Sequence, residues 1–584
     1  MTNSSDGTEY VDVAIIGAGV SGLYSGWRLL TDRSNPALWL DPGRPQLKIY
    51  EMGERTGGRL FSVTDLPGLP NVVGELGGMR YMEHQRLVSS LISELGLPSI
   101  DFPMGDTSRN LFYLRQHRFT DQDWSNPEVH KPYFLDEQFR NRHPDDLFEM
   151  IVDNVLRANG FPKPQDRQGW DAIKPLLRYY QGPDKNYRLE HVGFWNLLMD
   201  QIGNEGYELL AQGGGYYSNT INWNSAEALP YIVGDFGGSI EYKTLLGGFD
   251  QIARGLEAAY RSAGGEITLQ RMLMNFRHND SNDPDSRPYR YQLIMRDPNN
   301  GSMSTVYTNR IILAMPRRSL ELLAQDNFLF DSGSNLEVIA RVRSVIGEPS
   351  FKLLMGFYEE GQTEPWWQRL LGLESGRSIT DLPMRQCYYF GTDPETRHSL
   401  LLASYNDMST VDYWKVLEDP NGGLLRFKHS RRFREAFGEE RFQPRATPFS
   451  SIDELERASE RYPQGPRRMV DHALAQLKEL HNLPDLPDGR PQIPEPYTTA
   501  YMNWNDDPYG GGYHAWKANY DVGETMRFMR RPLPGEDLHI CGEAYSDQQG
   551  WVEGAFCIAE LMLREHFGLA TPPWLDPHDY YLGR

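Results

Sequence analysis

The feature that most constrains the fold is a glycine-rich turn between a short apolar run and a helical pattern. The run at 11–17 (VDVAIIG) is typical of a strand buried on both faces of a parallel sheet, and a helix is predicted at about 20–30. Between them, Gly17, Gly19 and Gly22 have the spacing G-x-G-x-x-G. The glycines permit a tight turn, close backbone approach to a pyrophosphate, and packing of helix on strand.

A second strand and an acidic residue complete this unit. The strand LKIYE ends at Glu51, after a loop at 32–46 that is rich in Pro and Gly. An acid at this strand end accepts hydrogen bonds from ribose hydroxyls, and it would repel the 2′-phosphate of NADP. The β–α–β order therefore predicts a parallel sheet that binds a dinucleotide at the 17–22 turn.

Further glycine and arginine clusters extend this pattern along the chain. The segments at 55–59 (RTGGR) and 74–80 (GELGGMR) follow Glu51, and HICGEA at 539–544 precedes GWVEGA at 550–555. A nicotinamide-binding Rossmann domain does not need these segments. They indicate a longer cofactor that lies along several parts of the chain.

Together these motifs resemble the flavin amine oxidase family. The pattern E-x-x-x-R-x-G-G-R follows the G-x-G-x-x-G turn, and GGMRY at 77–81 resembles the L-amino-acid oxidase branch, including bacterial enzymes that act on L-arginine, L-lysine or a broad range of amino acids. The C-terminal motifs resemble the closing FAD segment, and IILAMP at 311–316 resembles the strand before the substrate domain. The resemblance extends from residue 11 to 560.

The order of patterns predicts an α/β fold with a Rossmann-like, discontinuous FAD-binding domain, a mixed-sheet substrate domain and a helical insertion. The segment 115–225 is polar, aromatic and rich in helical spacing, strand-like runs fill 345–415, and 420–495 reads as charged helices with Pro-rich connections. The predicted boundaries are 8–82, 246–320 and 533–570 for the FAD-binding domain, 83–114, 226–245 and 321–532 for the substrate domain, and 115–225 for the helical domain.

The resemblance implies FAD bound in an extended pose. Attachment is expected to be non-covalent, because no cysteine occurs at 510–516, where amine oxidases attach the flavin. The residues that the resemblance places at the cofactor are Gly17, Ala18, Gly19, Ser21, Gly22, Glu51, Met52, Arg59, Gly77, Gly78, Met79, Arg80, Leu273, Trp504, Gly542, Glu543, Trp551, Val552 and Ala555.

Arg80 and Tyr405 are the predicted ligands of an amino-acid carboxylate. A guanidinium binds a carboxylate with two parallel hydrogen bonds, and Arg80 in GGMR matches the arginine that has this role in the family. Tyr405, in LLLASYND, matches the family's tyrosine that joins it. The alternatives are an ion pair of Arg80 with Glu75 or another acid, and a half-buried strand tyrosine.

Lys352 stands alone in the apolar run SFKLLMGF. Burying a lysine is costly, so a functional role is favoured, although an edge strand that points the lysine at solvent would explain it too. It matches the family's lysine that holds a water near flavin N5 and assists reoxidation by O2. The predicted catalytic residues are therefore Lys352, Arg80, Tyr405 and Trp551.

The amine of the substrate is expected to lie between aromatic residues, which orient it and exclude water. Tyr513 and Trp551, with Gly550 beside them, match the family's positions for these residues, and Trp504 is either a further wall residue or part of the core. Asp235 is a candidate for selecting Arg or Lys side chains, although aromatics nearby could instead favour Phe, Tyr or Trp.

The implied reaction is oxidative deamination of L-amino acids. A hydride passes from Cα to flavin N5, the imino acid hydrolyses to a 2-oxo acid and ammonia, and O2 is reduced to H2O2. Snake-venom-like members have a histidine before the helix G-G-x-D, and the segment 228–250 has none. No histidine base is needed, because a bound neutral amine can expel the hydride.

Three other functions stay open. An FAD-dependent L-amino-acid 2-monooxygenase would give an amide and CO2 through similar carboxylate binding. A polyamine or monoamine oxidase would leave Arg80 unpaired, which argues against it. The fourth reading is a flavoprotein scaffold without activity, whose flavin no L-amino acid would reduce.

Composition limits the partners. With 59 Lys and Arg against 80 Asp and Glu, the net charge of −21 would be repelled by nucleic acid and by an anionic membrane. The three cysteines show neither a disulfide framework nor metal-ligand spacing, and the polar N-terminus does not resemble a signal peptide. We expect a cytoplasmic protein without a metal that binds an L-amino acid and O2 and forms a homodimer or higher homo-oligomer.

Overall fold

A computed structural model describes residues 7–32, 34–235, 241–281, 284–324, 326–331, 333, 335–359, 361–418, 464–575 and 580–584. Within the region predicted as charged helices at 420–495, residues up to 463 lie outside this description.

The strands of the described chain are short in most cases and numbered in chain order. They are β1 Thr8–Ile16, β2 Leu47–Tyr50, β3 Ser62–Val63, β4 Gly74–Glu75, β5 Tyr81–Met82, β6 Ser99–Asp101, β7 Leu111–Leu114, β8 His117–Thr120, β9 Tyr242–Leu245, β10 Glu266–Thr268, β11 Met272–His278, β12 Tyr291–Arg296, β13 Met303–Leu313, β14 Val345–Glu348, β15 Ser350–Phe357, β16 Arg377–Thr380, β17 Gln386–Thr392, β18 Ser399–Asp407, β19 Thr498–Asn503, β20 Tyr513–Trp516 and β21 Leu538–Ile540.

The α-helices are numbered in the same way. They are α1 Val20–Thr31, α2 Arg86–Glu94, α3 Pro127–His130, α4 Pro144–Asn159, α5 Arg167–Ile173, α6 Phe194–Gly213, α7 Ser225–Asp235, α8 Gln251–Ser262, α9 Arg317–Glu321, α10 Leu336–Val342, α11 Trp366–Leu371, α12 Ser409–Lys415, α13 Arg467–His481, α14 Val522–Arg530 and α15 Val552–Phe567. None of these helices is long and apolar enough to cross a membrane.

A sheet in the order β10–β2–β1–β13–β12–β11 carries the glycine turn, with β21 also paired to β13. The strands β10, β2, β1, β13 and β21 are parallel, and β12 and β11 run antiparallel at one edge. Helix α1 packs against α8 and α15 on this sheet. The strands come from three separated stretches of the chain, and the predicted α/β class is confirmed.

A second sheet has the order β19–β15–β18–β17–β16–β7–β8. Its pairs are antiparallel except for β16 with β7, so it is a mixed sheet as predicted. Phe351, Trp414 and Met469 belong to the core that joins one face of the sheet to α11, α12 and α13. Leu354 and Leu402 on the other face pack with Met79, which brings this sheet onto the glycine-rich loops after β2.

The helices of the middle of the chain form a third apolar cluster. Side chains such as Leu147, Leu198 and Leu229 pack α4, α6 and α7 together. The mixed sheet reaches into the segment predicted as helical, because β8 pairs with β7. Helix α7, in a segment predicted to belong to the substrate domain, packs with this helical cluster. The boundaries of the three domains stay a prediction.

The turn between β1 and α1 gives a direct test of the fold. A Cβ added at Gly22 would lie 2.0 Å from the Gly17 carbonyl oxygen. We expect Gly22→Ala to lower the free energy of unfolding by about 1–3 kcal/mol, as overpacking does elsewhere. Gly535→Ala is the matched control, because no atom lies within 4 Å of a Cβ there. Equal urea-unfolding midpoints for the two variants would contradict the assigned turn geometry.

Candidate functional site

A cavity of about 510 Å³ begins at the glycine turn and ends where the two sheets meet. Its wall includes many of the predicted cofactor and substrate residues. Those that line it are Gly17, Gly19, Ser21, Glu51, Met52, Arg59, Gly78, Leu273, Tyr513, Gly542, Glu543, Gly550, Trp551, Val552 and Ala555. Of the described residues with a predicted role, those outside this lining are Ala18, Gly22, Gly77, Met79, Arg80, Lys352, Tyr405 and Trp504.

The N-terminus of α1 opens into the cavity. Gly17 has a φ of 107°, its N–H donates to the Tyr50 carbonyl at 2.8 Å, and a Cβ there would lie 2.4 Å from the Ala314 oxygen. Gly19 is the N-cap residue, and it supplies no side-chain hydrogen bond to the helix. The first N–H groups of α1 are therefore left for an anion in the cavity, as a pyrophosphate requires.

Glu51 is fixed beside this turn by backbone donors. Its Oε2 accepts from the Ala18 N–H and its Oε1 from the Gly53 N–H, both at 2.8 Å. Each carboxylate oxygen can accept a second hydrogen bond, and Glu51 lines the cavity. This arrangement fits an acceptor for ribose hydroxyls, with Leu273 in the lining beside it.

Glu543 joins three remote segments at the middle of the cavity. It accepts from Arg59 Nη2 at 2.8 Å, from the His514 N–H at 2.9 Å and from the Gly550 N–H at 2.9 Å. His514 Nδ1 lies 2.8 Å from the other side of the carboxylate. Burial opposes the charge, but Arg59 and His514 outweigh it and lower the pKa of Glu543 to about 2.

Trp551 and Arg80 are linked at the far end of the cavity by Tyr242. The Tyr242 and Trp551 rings are parallel with centroids 6.5 Å apart, and the Arg80 guanidinium lies 3.7 Å from the Tyr242 ring centroid. Arg80 Nη1 also lies 3.6 Å from Met104 Sδ. The cation–π contact holds a guanidinium near the wall formed by Trp551.

Tyr513 forms the opposite side of this end. A Cβ at Gly550 would lie 3.2 Å from the Tyr513 ring, so Gly550 leaves room for the aromatic side chain. The Tyr513 hydroxyl donates to Ser218 Oγ, which donates to Asp407 Oδ2 at 2.6 Å. The ring orientation is therefore fixed by a buried polar chain that the sequence did not reveal.

Lys352 is buried in the middle of the mixed sheet, where β15 pairs with both β18 and β19. It is 2 % exposed, its Nζ donates to the Gly77 carbonyl at 2.7 Å, and Nζ lies 4.4 Å from the Tyr405 ring centroid. Burial lowers the pKa of Lys352 to about 7, although the nearby Glu75 carboxyl opposes that shift. The alternative of a solvent-facing edge lysine is thus wrong.

Tyr405 stands between Lys352 and a group of tyrosines. Its ring centroid lies 5.3 Å from that of Tyr216 and 6.5 Å from that of Tyr388. The charge of Arg80 acts on all three phenols, which places the predicted carboxylate ligands in one neighbourhood. Tyr216 and Tyr388 were missed, because the segments that contain them look like ordinary aromatic loop and strand.

Trp504 and Asp235 are the two remaining residues with a predicted role at the substrate. Trp504 is 2 % exposed and its indole N–H donates to the Leu76 carbonyl at 2.7 Å, so it supports the loop before Gly77 and does not line the cavity. Its assignment as a wall and cofactor residue stays a prediction. Asp235 ends α7, and the specificity prediction for its side chain lies outside what the structure describes.

The chain is similar in sequence to a known family and to several known proteins. The model for flavin containing amine oxidoreductases matches residues 20–451. Aplysianin-A of Aplysia kurodai is 24 % identical over 98 % of this chain and 94 % of its own length. An L-amino-acid oxidase of Mus musculus is 21 % identical over 70 % of this chain and 55 % of its own length.

Solved structures share the architecture. Wild-type putrescine oxidase bound to putrescine has a TM-score of 0.57 with 16 % identity, covering 96 % of this chain and 100 % of that one. This similarity concerns the fold. The family match covers most of the chain, and the chain belongs to the flavin-containing amine oxidoreductase family. Its cofactor is FAD, and the cavity has the helix terminus, ribose acceptor and aromatic end that FAD requires.

The Glu543 cluster predicts a pH dependence of stability. Because the folded-state pKa of Glu543 is lowered, its contribution is full above the ordinary pKa of about 4.5 and is lost as the pH falls toward 2. We expect Glu543→Gln to reduce the free energy of unfolding at pH 7 on the order of 3 kcal/mol.

This difference should shrink progressively below about pH 4.5. Urea unfolding of both proteins between pH 7 and 3 measures it, with Glu94→Gln, at an exposed acid of α2, as the control. A Glu543→Gln difference that stays constant over this range would contradict the electrostatic role.

Proposed function

We propose that this protein is an FAD-dependent L-amino-acid oxidase that performs oxidative deamination. The observation that carries the proposal is the position of Arg80, which is held on Tyr242 next to Trp551 and within electrostatic reach of Tyr405. A guanidinium at the aromatic end of a flavin cavity fits the α-carboxylate of an amino acid. The similarity to proteins named L-amino-acid oxidase supports the same substrate class.

The residues of the cavity fit FAD along its length. The N–H groups of α1 and the side chain of Arg59 would hold the pyrophosphate, Glu51 the ribose, and Val552 with the N-terminus of α15 the flavin end. When bound, the flavin would accept a hydride, which is two electrons and one proton, from the substrate and would pass the electrons to O2. The attachment is proposed to be non-covalent, because no cysteine occurs at 510–516, the segment where amine oxidases attach the flavin.

The protein's own contribution is to bind and orient the substrate. Arg80 and the Tyr405 hydroxyl would bind the carboxylate, and the rings of Tyr513 and Trp551 would flank the amine. These aromatic walls exclude water, which favours the neutral amine and strengthens the contact with the guanidinium. The fixed carboxylate and amine leave one face of Cα directed at the flavin end, which selects the L-isomer.

Lys352 is suited to handle a proton at this site. With a pKa lowered to about 7, its amine exists in both protonation states near neutral pH. Its Nζ is anchored on the Gly77 carbonyl, so a water or proton held by the amine stays next to the loop that lines the flavin end. We propose that Lys352 supports reoxidation by O2, with H2O2 as product.

The carboxylate assignment is tested by Arg80→Gln. Losing a charge-assisted hydrogen bond pair should lower kcat/KM for L-amino acids at least about a hundredfold. Flavin content should stay unchanged, because the residues that would hold the pyrophosphate and the ribose lie at the opposite end of the cavity, around Gly17 and Glu51. Arg86→Gln, an exposed arginine six residues along the chain, is the matched control. Unchanged turnover by Arg80→Gln would show that another group binds the carboxylate.

Product analysis separates the remaining functions. An oxidase forms one 2-oxo acid, one ammonium ion and one H2O2 for each O2, and we expect this balance. A 2-monooxygenase would form an amide and CO2 without free H2O2, and a polyamine or monoamine oxidase would oxidise amines that lack a carboxylate. Either of the last two results would replace the proposed reaction.

We also propose a location and an assembly state. Cys387, Cys541 and Cys557 are free and buried, which is compatible with a reducing compartment. We therefore propose a cytoplasmic location. We propose separately that the protein forms a homodimer or higher homo-oligomer. Cell fractionation tests the first and light scattering of the purified protein tests the second, where a secreted or monomeric protein would contradict them.

A further inference from the structure

We propose that Arg377 forms a second cationic subsite next to Arg80, and that the preferred substrates are L-amino acids with a carboxylate in the side chain. The inference rests on the proposed function, because it assumes that Arg80 binds the α-carboxylate. It concerns the choice of substrate, which the sequence left open between basic, aromatic and broad specificity.

The register of the mixed sheet places Arg377 in line with the proposed site. Lys352 on β15 faces Tyr405 on β18, and Tyr405 faces Gln386 on β17. Tyr388, two residues further along β17, faces Arg377 on β16. Because neighbouring strands are about 4.8 Å apart, Arg377 lies about three strand spacings from Lys352. The row runs from the flavin end through the carboxylate ligands to Arg377.

The charge of Arg377 is compensated by a phenol, and no carboxylate of the described residues forms an ion pair with it: burial opposes the charge, but Tyr388 outweighs it and raises the pKa of Arg377. Its Nη1 lies 3.5 Å from the Gln386 amide oxygen, at the limit of a hydrogen bond, and its Nε is buried without a hydrogen-bond partner. Among the ion pairs of the described residues, none includes Arg377. The acid that acts on it electrostatically is Asp145, which is itself 3.5 Å from His143.

Arg80 and Arg377 lie on either side of one aromatic pair: the Arg80 guanidinium is 5.7 Å from the Phe102 ring centroid, the Phe102 and Tyr388 centroids are 6.3 Å apart, and Tyr388 is paired with Arg377. Arg377 and Arg80 act on each other unfavourably, and both act on Tyr388 and Tyr216, which lie near Tyr405. Although burial opposes it, the two guanidiniums lower the pKa of Tyr388. Positive potential shared by two half-buried guanidiniums is costly unless anions occupy the space between them. The α-carboxylate of a substrate would neutralise the charge of Arg80. The charge of Arg377 would then still lack a carboxylate partner.

A second carboxylate on the substrate completes the compensation. In L-aspartate and L-glutamate the two carboxylates are separated by two or three carbon atoms, so one could bind Arg80 while the other extends past Phe102 and Tyr388 toward Arg377. Gln386 and the Tyr388 hydroxyl, which donates to Gln386 Oε1 at 3.1 Å, add polar groups at the second position. A cationic side chain would be repelled there, which opposes the choice of Arg or Lys considered for Asp235.

The wild-type holoprotein can test this without any substitution. L-Glutamate and L-glutamine, and L-aspartate and L-asparagine, are nearly equal in shape and differ in charge. We expect kcat/KM for the better acid to exceed that of its amide at least tenfold, and that of L-lysine by more. A preference for L-lysine, for L-leucine or for the amides would overturn the inference.

Arg377→Gln should remove this preference. A lost hydrogen bond to a charged group typically costs tenfold to about a hundredfold, so we expect kcat/KM for the acid to fall by this factor. KM should carry most of the loss, the amide should be unaffected, and Arg377→Lys should restore part of the preference. Arg490→Gln, an exposed arginine of the same charge, is the control.

The outcomes distinguish the inference from the function on which it rests. If no L-amino acid reduces the flavin under anaerobic conditions, the proposed function fails. If neutral or basic L-amino acids reduce it and acidic ones do not, the function stands and the subsite is wrong. If Arg377→Gln does not fold, the binding of succinate and glutarate to the wild-type protein is measured from the flavin absorbance. Tighter binding of these diacids than of their diamides supports the subsite, and equal binding contradicts it.

Discussion

The site depends on one buried carboxylate, Glu543, which is 6 % exposed and holds three distant parts of the chain around the cavity. Its oxygens accept from Arg59 of the loop after β2, from His514 of β20 and from the Gly550 backbone before α15. A charged acceptor with this many donors is stabilised strongly enough to overcome its own burial. Because Arg59 also donates to the Gly512 carbonyl, the wall that carries Tyr513 is fixed to the wall that would hold the phosphates.

The mixed sheet supplies the chemistry that the first sheet lacks. Its apolar face packs on the loop that contains Met79, and this contact brings Lys352 and Tyr405 next to the glycine-rich loop that lines the end of the cavity. Arg80 follows directly after Met79 in the chain and reaches Trp551 through Tyr242. Burial then has two consequences: it lowers the pKa of Lys352, and it makes the charge of Arg80 effective over the surrounding phenols.

Much of the cofactor part of the site could be predicted from local sequence. Each motif there is a short run, and its own backbone conformation determines how it would contact the cofactor. The turn at Gly17, the acid at Glu51 and the cluster at Glu543 are of this kind. Trp504 and Arg377 show the limit. Their roles depend on which loop or strand packs beside them. Trp504 donates to the Leu76 carbonyl, and the position of Arg377 near the site follows from the strand register that pairs it with Tyr388. Strand pairing between distant segments is not encoded in any single window of sequence.

The central claim is that a bound flavin accepts electrons from L-amino acids held by Arg80. The most direct measurement mixes the oxygen-free holoprotein with each proteinogenic L-amino acid and with its D-isomer, and follows the flavin absorbance. The account predicts full bleaching by at least one L-amino acid, no bleaching by the D-isomer, and recovery of the absorbance with release of H2O2 when O2 is admitted. No bleaching by any L-amino acid, or equal bleaching by both isomers, would contradict it.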